Sequence, residues 1–126
     1  MGIKVQWDNE EKTVLRWVFE EQWNKQDYYD VNDDLHKTLD TVSHKVNVIL
    51  DMRKSRDLPK GFISTLRSEQ FKQPHSNLGT MVSIGQNNFI RIFVNTFLRL
   101  YPTSATQFYM AESDEQAYAM FDKYKT

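Results

Sequence analysis

A basic loop follows the most apolar segment of the chain, and its residue types could bind an anion. The apolar run from Val46 ends at Asp51, and from Arg53 to Lys60 the chain carries four basic residues and one acidic residue. Ligands of α/β proteins favour the carboxyl ends of buried strands, so we expect a binding site here. The candidate partner- or anion-binding residues of this segment are Asp51, Arg53, Lys54, Ser55, Arg56, Lys60 and Gly61.

Simpler roles stay open for the same loop. Its charges could pair with Asp51, Asp57 and Glu69 in a solvated turn. Asp51 could position a ligand or act as a base, or it could accept backbone hydrogen bonds from its own loop. Ser55 lies among basic side chains that would neutralise an added phosphate, or it is an ordinary solvated loop serine.

A second candidate site follows the next apolar run. Gly85, Asn87 and Asn88 stand at the start of a predicted helix, where backbone amides could cradle a phosphate, or where they form an ordinary turn and N-cap. In the predicted fold, this helix and the one after Gly61 point their N-termini toward the same edge of the sheet.

The remaining chemistry-bearing residues do not form a recognisable centre. The three histidines, His36, His44 and His75, lack metal-ligand spacing, and the chain has no cysteine. We therefore predict no catalytic residue, no metal and no cofactor. Sixteen basic and seventeen acidic side chains give a net charge of −1, which argues against general nucleic-acid binding.

The elements that would position these residues alternate along the chain. Ile3–Trp7 and Val14–Phe19 have the pattern of a β-hairpin. Asp30 could cap a helix whose apolar stripe consists of Val31, Leu35, Leu39 and Val42. Further strands are predicted at Val46–Met52, Leu78–Ile84 and Thr106–Met110, and further helices after Gly61, from Asn88 to Tyr101, and after a capping box of Ser113 and Gln116. This order predicts an α/β fold with a mixed sheet: an N-terminal hairpin followed by α-β-α-β-α-β-α.

The predicted helix from Asn88 to Tyr101 carries more apolar residues than one buried face needs. Beyond a full core-facing stripe, it has a second stripe that neighbouring helices, a dimer partner or an apolar ligand could cover. The residues of this possible interface are Ile90, Val94, Leu98 and Tyr101. The tryptophans Trp7, Trp17 and Trp23 are predicted to lie in or beside the core.

The chain resembles the STAS family, the fold of bacterial anti-sigma factor antagonists, over nearly its whole length. The resemblance rests on element order and on Val48-Ile49-Leu50-Asp51-Met52 followed by a Gly61-led helix. It is greatest to small stand-alone STAS-like proteins of bacteria, through Leu58-Pro59-Lys60-Gly61, Gly85-Gln86-Asn87-Asn88-Phe89 and Tyr101-Pro102. The family's phosphorylated serine motif has no counterpart here, because Pro59 and Lys60 occupy those positions.

These observations predict a single domain over residues 1–126. We expect a cytoplasmic, non-enzymatic regulatory domain that binds a protein such as an anti-sigma factor or a kinase-like regulator, or that forms a homodimer. A small-ligand sensor for an anionic amphiphile, a lipid or a nucleotide, is the alternative. No segment approaches the ~20 apolar residues of a membrane span.

Overall fold

The computed structural model describes residues 2–55, 75–85 and 108–124. These residues form a mixed α/β fold with five strands and two helices. The strands are β1 (Ile3–Trp7), β2 (Val14–Phe19), β3 (Val46–Asp51), β4 (Leu78–Ile84) and β5 (Phe108–Ala111). The helices are α1 (Lys25–Asp40) and α2 (Asp114–Lys123). The helices predicted after Gly61 and from Asn88 lie outside the described residues, so the STAS arrangement stays a prediction.

The strands lie in the sheet in the order in which they occur in the chain. β1 and β2 form the predicted antiparallel hairpin, whereas β2, β3, β4 and β5 are parallel. Parallel neighbours require crossover connections, which agrees with the alternating pattern of the sequence. β3 is the central strand, and its carboxyl end is therefore flanked by strands on both sides.

Each face of the sheet has its own hydrophobic core. On one face, Trp17, Phe19 and Leu50 pack with residues of α1, and on the other, Ile49 and Val82 pack with Ala117 and Phe121 of α2. β3 contributes to both cores because its alternate side chains point to opposite faces. The prediction that this strand is buried on both faces is confirmed, as is the placement of Trp17 and Trp23 in the core with Trp7 packed against it.

Several predicted boundaries were wrong. α1 begins one and a half turns before Asp30, because Asn24 and Asp27 form a reciprocal capping box, and Asp30 instead accepts a hydrogen bond from Gln26. Val42 lies beyond the last turn of α1, although it packs against the core.

The structure differs from the prediction in smaller ways at β3, β5 and α2. β3 ends at Asp51 rather than Met52, and β5 continues to Ala111, which pairs with Ile84. Ser113 caps α2 by accepting from the Gln116 backbone N–H, but the Gln116 side chain bonds the backbone N–H of Glu112. The capping box is therefore only half formed. Neither helix in the described ranges is long and apolar enough to cross a membrane.

Candidate functional site

A buried arginine lies between three carboxylates on the α2 side of the sheet. Arg16 stands in β2, between apolar residues, and is only 8% exposed. Its guanidinium binds Asp8 through two bonds of 2.7 and 3.2 Å, Asp51 at 3.0 Å and Asp114 at 3.1 Å. Asp8 follows β1, Asp51 is the last residue of β3, and Asp114 is the first residue of α2. The Arg16 side chain, which comes from β2, therefore connects four elements.

A second arginine completes this group from the basic loop. Arg53 donates to both carboxylate oxygens of Asp51, at 3.0 and 2.8 Å, and its Nη2 lies 3.4 Å from Asp114. The backbone N–H of Arg53 also donates to Asp51, at 3.3 Å. Asp51 thus accepts a backbone hydrogen bond from its own loop, one of the roles expected from the sequence. We call Asp8, Arg16, Asp51, Arg53 and Asp114 the arginine–aspartate cluster.

Tyr118 joins the cluster from the second turn of α2. Its hydroxyl donates to Oδ2 of Asp8 at 2.6 Å. Burial and the adjacent Asp8 carboxylate both disfavour the phenolate and raise the pKa of Tyr118 well above its usual value. The tyrosine therefore stays a neutral hydrogen-bond donor across the physiological range.

The Asp8 and Asp51 carboxylates stay ionised. Hydrogen bonds from Arg16 lower the pKa of Asp8 and outweigh the opposing effect of burial. Burial acts to raise the pKa of Asp51, but hydrogen bonds and charge from Arg53, with the charge of Arg16, outweigh it and hold that pKa below the usual value. Asp8 also raises the pKa of Arg16, so the buried guanidinium keeps its charge.

We expect this cluster to make the fold sensitive to acid. Asp8 and Asp51 have lower pKa values in the folded state than the usual 3.8, so their contribution is fully present above that value and is lost as the pH falls through the folded pKa values. Urea unfolding between neutral and strongly acidic pH should show a falling free energy of unfolding. The Asp8→Asn/Asp51→Asn variant should be less stable at neutral pH, and its free energy of unfolding should depend less steeply on pH. If its free energy of unfolding falls as steeply as that of the native protein, the assignment is wrong.

The arginine–aspartate cluster is suited to holding β1, β2, β3 and α2 together rather than to acid–base catalysis. Asp8 and Asp51 are held ionised by the arginines, whereas a general acid needs a raised pKa near the operating pH. Within residues 2–55, 75–85 and 108–124, no group of three or more histidine or acidic side chains is arranged to hold a metal ion. Two of the histidines take structural roles: His75 lies 2.7 Å from Asp40, and His44 lies 2.9 Å from the Lys12 carbonyl.

The first residues of the basic loop are fixed by further contacts. The Met52 N–H donates to the Ile84 carbonyl at 2.9 Å, and Trp23 Nε1 donates to Ser55 Oγ at 2.9 Å. Ser55 is only 4% exposed, so the expectation of a solvated serine was wrong. A hydroxyl buried beneath Trp23 is also poorly placed to accept a phosphate. Lys54, between these anchored residues, is exposed.

The structure brings together only part of the predicted site. Asp51, Arg53, Lys54 and Ser55 lie at the carboxyl end of β3, and Gly85 follows the adjacent β4 with φ of 149°, a conformation that favours glycine. The other candidates lie outside the described residues: Arg56, Lys60, Gly61, Asn87, Asn88, Ile90, Val94, Leu98 and Tyr101.

Sequence reasoning missed Arg16, the central residue of the cluster. The available signal was a lone charge within the apolar run from Val14 to Phe19, since an arginine is rarely buried there unless it is paired. Its partners had no comparable signal, because Asp8, Asp114 and Tyr118 stand at ordinary turn and helix positions. Compared with models of protein families and with curated proteins, the chain shows no match.

Proposed function

We propose that this protein is a non-enzymatic, STAS-like interaction domain that binds an acidic segment of a protein partner through the loop after β3. The observation that carries the proposal is the attachment of the first residues of this loop, up to Ser55, to the rest of the fold. Arg53 is held by Asp51, Met52 by the backbone of Ile84, and Ser55 by Trp23. Residues that are already held in place lose less conformational freedom when a partner binds.

Charge supports the same role. The Lys54 side chain is 67% exposed, and its Nζ lies 3.9 Å from a carboxylate oxygen of Glu20. A surface pair of this length is weak, so the ammonium can exchange Glu20 for a carboxylate of the partner. Arg56 and Lys60 extend the basic character in sequence. We infer binding rather than catalysis because the aspartates at this edge are already engaged by arginines.

Charge reversal at Lys54 and Arg56 should remove the interaction without unfolding the protein. Arg53 is left unchanged, since it holds Asp51. We expect Lys54→Glu/Arg56→Glu to recover the native partner from a lysate at least tenfold less efficiently, as measured by quantitative affinity capture. Lys37→Glu, an exposed charge on α1, is the matched control. Equal recovery by all three proteins would contradict the proposal.

A small-ligand sensor is the second candidate, and one observation favours it. Trp17 Nε1 and Ser83 Oγ are buried and have no hydrogen-bond partner in the described part of the chain. Both residues pair in register with Leu50, from either side, so they belong to one row across the sheet. Unbonded buried polar groups are costly, and a ligand with suitable acceptors would satisfy them.

Native mass spectrometry separates the two candidates. A non-covalent adduct that disappears on denaturation, and whose occupancy falls in Ser83→Ala, would favour the sensor. A clean monomer or dimer without adduct would favour the interaction domain.

A further inference from the structure

A cleft at the opposite end of the parallel strands has the features of a separate binding site. Its volume is about 430 Å³, within the usual range for small-molecule sites. Its lining comes from the β1–β2 turn, the starts of β2, β3 and β4, and the last two turns of α2. The basic loop follows the other end of β3, so this site is independent of the proposed partner surface.

The wall formed by β3 and β4 is built by a close fit between two residues. A Cβ at Gly79 would lie 2.4 Å from Oδ1 of Asn47, so only glycine leaves space for this amide. The same oxygen accepts the backbone N–H of Thr80 at 2.8 Å. Since β3 and β4 shift register between Val46 and Val48, the Asn47 side chain bonds the neighbouring strand in place of a regular ladder contact. Asn47 is thereby held in one orientation in the cleft.

The cleft is lined by uncharged and charged polar groups. Thr80, which is only 5% exposed, and Asn47 contribute a hydroxyl and an amide to the lining. Lys45 and Asp122, both exposed, lie in the same lining. A positive and a negative charge therefore share the cleft with two uncharged hydrogen-bonding groups.

We propose that this cleft binds a small amphoteric molecule that carries a carboxylate and an amino group, as free amino acids do. Lys45, Asn47 and Thr80 supply an ammonium, an amide and a hydroxyl for the ligand carboxylate. Asp122 accepts from the ligand amino group. The lining charges sum to zero, which favours a zwitterion over a phosphate dianion. Val14, Phe121 and the rings of Tyr118 and Tyr124 provide apolar surface for a side chain.

Titration of the common L-amino acids, one at a time, against the full ¹⁵N-labelled chain tests this assignment by NMR. At least one should shift the signals of Thr80 and the Asn47 side-chain amide. Its decarboxylated amine and its deaminated acid should each bind at least tenfold more weakly, because each lacks one charge-assisted hydrogen bond. If no amino acid shifts these signals, or if either analogue binds as well as the parent, the assignment is wrong.

Variants locate the binding. Lys45→Met and Asp122→Asn should each weaken binding of the best amino acid at least tenfold, while Lys37→Met and Asp33→Asn on α1 leave it unchanged. Unfolding midpoints confirm that the variants are folded. If Lys45→Met and Lys37→Met bind the amino acid equally well, the amino acid does not bind in this cleft and the proposed site is wrong.

Discussion

Replacing Arg16 with methionine should lower the free energy of unfolding by about 3–5 kcal/mol, the usual cost of removing one partner from a buried ion pair. Methionine keeps much of the side-chain volume but leaves the buried Asp51 and the partly buried Asp8 carboxylate without their shared guanidinium. Urea unfolding at neutral pH, followed by circular dichroism, measures the change. Since small domains are stable by only about 5–15 kcal/mol, the variant should lose a large part of its stability.

A matched variant separates burial from charge. Arg53→Met removes an arginine from the same cluster, but the Arg53 side chain is about half exposed, so we expect a loss of roughly 1 kcal/mol or less. Adding Asp8→Asn and Asp51→Asn to Arg16→Met should recover part of the stability, because uncharged amides are less costly to bury unpaired. Equal losses for Arg16→Met and Arg53→Met would contradict the central role of Arg16.

Gly79→Ala should be the second most damaging change, with a loss of about 2–3 kcal/mol. The new methyl group would lie 2.4 Å from Asn47 Oδ1 and 3.2 Å from the Val46 carbonyl oxygen. Moving the Asn47 amide aside would break its bond to the Thr80 N–H and leave a buried backbone donor unsatisfied, which is the main cost.

A double-mutant cycle tests this cause. In the Asn47→Ala background the obstructing oxygen is gone, so Gly79→Ala should cost much less than in the native chain. Thermal or urea unfolding of the four proteins gives the coupling energy. An unchanged cost in the Asn47→Ala background would assign the effect to the backbone contact with Val46 instead.

The sheet could be predicted largely from periodicity. β1, β2 and β4 have the predicted boundaries because alternating or continuous apolar runs end in clear turn sequences. The start of α1 was missed because its first turn carries polar residues, and the buried Tyr28 that extends the apolar stripe follows them. Asn24 is a suitable N-cap residue, but the apolar stripe placed the predicted start of the helix at Asp30 instead.

The candidate site was predictable only in its local part. Asp51 and Arg53 are two residues apart, so their pairing follows from the turn after β3. Arg16 meets Asp51 and Asp114 across 35 and 98 positions of the sequence, and these contacts depend on strand order and on where α2 lies. The pattern of residue types along the sequence gives neither the order of the strands nor the position of α2.

The order of strands in the sheet has a consequence for how the chain folds. Each described strand pairs with the next in sequence, so the sheet can grow from β1 toward β5 as the polypeptide leaves the ribosome. The contacts of Arg16 depart from this order, because Asp8 and Asp51 are available early whereas Asp114 and Tyr118 are synthesised near the end. Docking of α2 is therefore the step that completes the enclosure of the guanidinium. Until it occurs, we expect the nascent sheet to keep an incompletely paired charge on that face, which should disfavour association of the face with other chains.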